Sequence, residues 1–162
     1  MLIKEQTRII QNIKEKFDSE ATFEDLVSHF GFEIEILDPN AKVSGLYGYS
    51  DNTISINKKL LKDEKYLYDT FFHEFGHLIH EMSVDGNFYS NYKRRNLYFS
   101  QLLESERQAS LIGLEFWRWK FPGESLPVPL SYFNKKDVLF LADYYKPHFE
   151  NDLHTLIKDL RS

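Results

Sequence analysis

The chain contains no cysteine. Disulfides and thiolate metal sites are therefore excluded, and any metal has to be held by His, Asp or Glu. Nor is there a long apolar run. The opening stretch MLIKEQTRIIQNIKEKF carries charges throughout, so it does not read as a signal peptide. No window approaches the ~18 to 20 apolar residues of a membrane span. With neither export signal nor cysteine, a cytoplasmic location is expected. A basic excess is missing too: the formal net charge is −5, which argues against direct binding to nucleic acid. Internal repeats and low-complexity segments are absent.

The 162 residues fit one ordinary domain, and 42% of them are apolar, with 14 Phe and 10 Tyr. That is enough to bury a core. Ile3, Ile9, Ile10, Ile13 and Phe17 form a helical stripe over residues 3 to 17. Thr22 is placed to cap a short helix, with Asp25 at the third position and Gly31 as the stop. FEIEIL alternates apolar and acidic residues, as a half-buried strand does. KVSGLYGYSDNTISIN reads as a hairpin turning at Ser50, Asp51 and Asn52. Gly45 and Gly48 in its first run suggest a bulge, or a place where another segment comes close. Asn57 can cap a short helix around 58 to 62.

Leu67, Phe71, Phe75, Leu78 and Met82 recur at three- and four-residue steps and predict a helix over 65 to 82. GNFYSNYKRRNLYFS, 86 to 100, reads as a long aromatic and basic loop. A second long helix is expected from about 101 to 119, ending before FPGESLPVP. One or two helices, near 135 to 145 and 147 to 160, finish the chain. Helices, a small antiparallel sheet, then helices make an α+β pattern in a single domain, 1 to 162. Its site-bearing core spans about 43 to 119, and a helical extension about 131 to 162.

The first long helix contains FFHEFGHLIHE. His73 and His77 lie four residues apart, about 40° in direction and one turn in height. Both imidazoles can thus reach one metal ion. Glu74, the next residue round, is close enough to handle a proton without being a ligand. This is the HExxH arrangement of two zinc ligands and a general base. Chance alone produces it in roughly 2% of sequences of this composition, so its surroundings matter. Gly76 costs a helix about 1 kcal/mol against Ala, which points to a close neighbour at that position.

A catalytic zinc needs a third protein ligand. In LLESERQASLIGLEFW, residues 102 to 117, Leu102, Glu106, Ala109, Ser110, Gly113 and Trp117 share one helical face. Glu106 is a carboxylate among small residues that allow close packing near Gly76, so it is the expected third ligand. Glu104 points about 200° away and Glu115 lies on that other face. Ser110, one turn beyond Glu106, is either a partner of a ligand histidine or a packing residue. His80 differs from His77 by about 300°, and neither it nor Glu81 is expected to bind metal. Tyr89, Tyr92 and Tyr98 are either donors to a developing oxyanion or packing residues. Lys93, Arg94 and Arg95 are either contacts for an acidic substrate or a solvated loop. A substrate can add in extended form along the exposed edge of the 43 to 56 hairpin.

HEFGH followed by ESERQASLIG resembles the ImmA/IrrE family of bacterial zinc metallopeptidases. The matching positions are His73, Glu74, Gly76, His77, Glu106, Ala109, Ser110, Ile112 and Gly113. SGLYGYSDNTISINKKL is similar to the strand pair that precedes the family's zinc helix. The likeness covers about 43 to 116. Ile112 and Gly113 stand where Phe-Ala is usual, and LEFWRWKFP replaces the family's usual helix ending. The resemblance implies a zincin-like metallopeptidase domain, bound Zn2+, and cleavage of a protein partner. That partner would be a helix-turn-helix transcriptional repressor of a phage or mobile element. The alternative is a non-catalytic zinc-containing module that binds the repressor or acts as a sensor.

Overall fold

The computed structural model describes residues 2–48, 51–84 and 99–124, and for 99–103 the backbone alone. The expected helices near 135 to 145 and 147 to 160 lie outside the described residues, as do Tyr89, Tyr92, Tyr98, Lys93, Arg94 and Arg95. Among the described residues the chain is α+β, with four helices and a three-stranded sheet. No described helix is long and apolar enough to cross a membrane.

Helix α1, Lys4–Lys16, buries Ile10 and Ile13. Helix α2, Phe23–Ser28, starts on a reciprocal cap: Thr22 Oγ1 accepts from the Asp25 N–H, and Asp25 accepts from the Thr22 N–H. The turn after it passes through Gly31 at φ 76°, a left-handed conformation that glycine adopts without steric cost. The strands are β1 (Glu33–Leu37), β2 (Gly45–Gly48) and β3 (Thr53–Asn57).

The sheet is mixed and not antiparallel, as the strand pattern had suggested. The expected hairpin is present, with β2 antiparallel to β3 from Gly45↔Ile56 to Gly48↔Thr53. That register is continuous, so neither glycine makes a bulge. The other edge of β3 stays open, and β1 joins it in parallel, Glu33↔Thr53 to Leu37↔Asn57. Alternating side chains reveal that a segment is a strand, not which way its neighbour runs. The order β1-β3-β2 leaves β2 on an edge. Asn57 fixes the crossing between β1 and β2. Its side-chain amide donates to the carbonyls of Ala41 and Val43, while its oxygen caps the 3-10 turn Lys58–Lys62.

Helix α3, Glu64–Ser83, is capped by Asp63, whose side chain accepts from the Tyr66 N–H. Phe71, Phe72, Phe75, Leu78 and Ile79 are fully buried on it, whereas Met82 is 48% exposed. The apolar face is wider than the expected stripe and ends before Met82. Burial of one such side chain is worth about 1.5–3 kcal/mol, so packing easily outweighs the ~1 kcal/mol cost of Gly76. Helix α4, Phe99–Lys120, begins two residues earlier than expected. It packs Ile112, Phe116 and Trp117 into the same core.

Candidate metal centre

Helices α3 and α4 touch through their backbones. A Cβ on Gly76 would overlap the carbonyl oxygen of Ala109, and one on Gly113 would stand 2.9 Å from the carbonyl oxygen of Phe72. Glycine at these two positions permits the approach. These contacts set the antiparallel register of the two helices, and that register delivers Glu106 to both histidines.

Glu106 Oε2 stands 2.8 Å from His73 Nε2 and 3.3 Å from His77 Nε2. One potential ligand atom from each of these three residues lies within 4.8 Å of the other two. The two rings meet edge to face, with centroids 4.9 Å apart. Two imidazole nitrogens and one carboxylate oxygen are the donor set that suits zinc. His77 is also stacked beneath Tyr47 of β2, at 6.1 Å and an interplanar angle of 12°.

The far sides of both rings face serines of α4. Ser110 Oγ is 3.2 Å from His73 Nδ1, and Ser105 Oγ is 3.4 Å from His77 Nδ1. In the tautomer that leaves Nε2 free for a metal, each Nδ1–H donates to its serine. Ser110 thus lies beside His73, a candidate ligand. Ser105 was not foreseen. Its only signal is that it directly precedes Glu106.

Glu74 borders the cluster on the side toward β2. A Cβ on Gly45 would come within 2.6 Å of Thr70 Cγ2 and 3.0 Å of Glu74 Cγ. Gly45 is therefore a close approach, and the edge strand is pressed against the helix beside Glu74.

Electrostatics bind the group together. Burial opposes a charge on His73, but its hydrogen bond and charge contact with Glu106 prevail, with smaller help from Glu74 and Asp69. Its pKa is pushed up to about 9. Burial also opposes ionisation of Glu106, yet the two histidines hold its carboxyl well below the usual range. Glu74 is raised, chiefly by burial, which favours a proton acceptor that must later give the proton back. His80 lies outside the cluster and faces inward, 5% exposed. Burial, then the charge of His77, lowers it to about 4. Glu81 is not among the clustered ligands either.

Comparison with protein-family models, with curated proteins and with solved structures finds no match.

Proposed function

We propose that the chain is a zinc-dependent endopeptidase of ImmA/IrrE type, with a zincin-like fold and a protein substrate. The observation that carries this reading is the convergence of His73, His77 and Glu106, each with one potential ligand atom within 4.8 Å of the other two. They are accompanied by Glu74, a half-buried carboxylate on the same helix as the two histidines and outside the ligand set.

His73, His77 and Glu106 would hold a zinc ion, which would supply Lewis acidity and lower the pKa of a water toward neutrality. Glu74 accepts a proton from the attacking water as its oxygen bonds to the substrate carbonyl carbon. The same carboxyl then passes the proton to the amine nitrogen as the C–N bond breaks. Ser110 and Ser105 hold the two imidazoles in the tautomer the centre needs. The outer edge of β2 offers an extended substrate backbone a strand to pair with, and Gly45 keeps that edge beside Glu74.

The substrate proposed is a helix-turn-helix transcriptional repressor, in the cytoplasm. This part of the reading is supported by the resemblance of HEFGH and ERQAS to the family's motifs.

The test compares zinc-loaded wild type with Glu74→Gln. Cleavage of the repressor should fall at least about 100-fold while zinc content and thermal melting stay as they were. Undiminished cleavage by the variant would end the hydrolytic reading. A wild type that binds zinc and the repressor without cutting it would establish the non-catalytic alternative.

A further inference from the structure

Tyr47 is the buried residue of β2, 8% exposed. Its ring lies nearly parallel to two others. Phe32 is 5.8 Å away at 14°, and His77 is 6.1 Å away at 12°. Both separations suit offset-stacked rings. Across the sheet Tyr47 pairs with Ile54, which is fully buried. The strand and Phe32 thus hold the Tyr47 ring against the imidazole. Glu106 meets His77 at Nε2 and Ser105 meets it at Nδ1. Contacts at two edge atoms leave the ring free to tilt about the line between them. A parallel ring over its face fixes that tilt, and Tyr47 supplies it from an element outside the two long helices.

The backbone of Tyr47 serves a different side. The Asn57 N–H donates to the Ser44 carbonyl, so Ser44, Leu46 and Gly48 turn their N–H and C=O groups toward β3. Alternate residues of an antiparallel strand face opposite edges. Gly45 and Tyr47 therefore present theirs to the open edge of β2. These two residues are also the ones that meet α3, Gly45 at Glu74 and Tyr47 at His77. A peptide strand added at this edge would bond to the backbone of the residue whose ring lies on His77.

We propose that Tyr47 is a positioning residue that ties the metal centre to the open edge of β2. Its ring sets the plane of His77, and a strand bound along its backbone tightens that hold. The coupling is reciprocal, so metal at His77 favours the bound strand by the same factor. The ring alone makes the stack, so phenylalanine serves in its place and leucine does not. The inference rests on the proposal that this centre holds zinc beside a peptide-binding edge.

The experiment reads zinc affinity, by competition with a chromogenic chelator, in wild type, Tyr47→Phe and Tyr47→Leu. Ile13→Ala, a core loss on α1, controls for lowered stability. Tyr47→Leu should bind zinc about three- to tenfold more weakly, while Tyr47→Phe and Ile13→Ala keep the wild-type affinity. The series is repeated on the Glu74→Gln background with a dodecapeptide pool lacking His, Cys, Asp and Glu, which does not compete for the metal. The pool should raise zinc affinity about fivefold or more with Tyr or Phe at position 47. The same pool N-methylated at every residue, unable to pair as a strand, should not. Unchanged affinity in Tyr47→Leu, or an equal loss in Tyr47→Phe or Ile13→Ala, overturns the inference. So does a peptide effect that is absent or that survives Tyr47→Leu. Both effects in a wild type that cuts nothing uphold it and remove the hydrolytic reading. Cleavage by a wild type whose zinc affinity does not depend on Tyr47 does the reverse.

Discussion

Ser110 Oγ lies 3.2 Å from Nδ1 of His73, on the edge of the ring turned away from Glu106. One helix therefore supplies both the carboxylate that faces Nε2 and the hydroxyl that holds the ring from behind. Ser110→Ala should weaken zinc binding about 10- to 100-fold without unfolding the protein. Ser105→Ala should act in the same direction on His77. Competition with a chromogenic chelator measures both, and unchanged affinity in the two variants would remove the orienting role.

Gly76→Ala places a methyl group where the Ala109 carbonyl oxygen stands. The helices must separate, at a cost of about 1–3 kcal/mol. The loss of metal should exceed the loss of stability, because Glu106 moves away from both histidines together. Denaturant titration beside metal analysis checks this; a variant that melts early yet keeps full zinc affinity contradicts it.

His73 gives the metal-free protein a characteristic pH dependence. Its folded pKa, about 9, lies above the ordinary 6.5. The stabilisation from its pair with Glu106 is then complete below about pH 6.5 and is lost as pH rises through about 9. Metal uptake runs the opposite way, since the proton must leave first. Zinc affinity should climb roughly tenfold per pH unit across that window. Melting of chelator-treated protein from pH 6 to 9.5, with Glu106→Gln as the control lacking the pair, gives the first trend. Calorimetry in buffers of different ionisation enthalpy counts the proton released.

His80 predicts the acid limb. Its folded pKa is depressed to about 4, so the fold binds fewer protons than the unfolded chain between there and 6.5. Stability is lost as pH falls through that interval. His80→Gln should flatten this limb in melts between pH 4 and 6.5. A limb as steep as in wild type would assign acid sensitivity elsewhere.

Gly45→Ala directs a Cβ onto Thr70 Cγ2 and Glu74 Cγ. Under the proposed mechanism, peptide hydrolysis should drop about tenfold or more for less than about 2 kcal/mol of stability, because the clash reaches Glu74 as well as Thr70. Thr70→Ser deletes Cγ2, so the double variant should recover much of the lost rate. An additive pair would mean that the strand does not press on Glu74.

Much of this arrangement was legible in the residues. The four-residue step from His73 to His77 fixes their common direction, and the small residues around Glu106 mark the face that another helix can approach. Thr22, Asn57 and Gly31 act locally and are found where their chemistry put them. What escaped reading depends on partners far along the chain. The parallel pairing of β1 with β3 is set by which edge of the hairpin remains free, and no alternation pattern encodes that. Met82 continues the apolar rhythm of α3 yet stands 48% exposed.

The backbone contact at Gly76 and Gly113 makes the spacing of the two long helices a lower bound. No residue smaller than glycine exists, so sequence drift at either position can move the helices in one direction only, apart. The present geometry therefore has no tighter arrangement to reach by substitution at these two positions, and any replacement there loosens the centre.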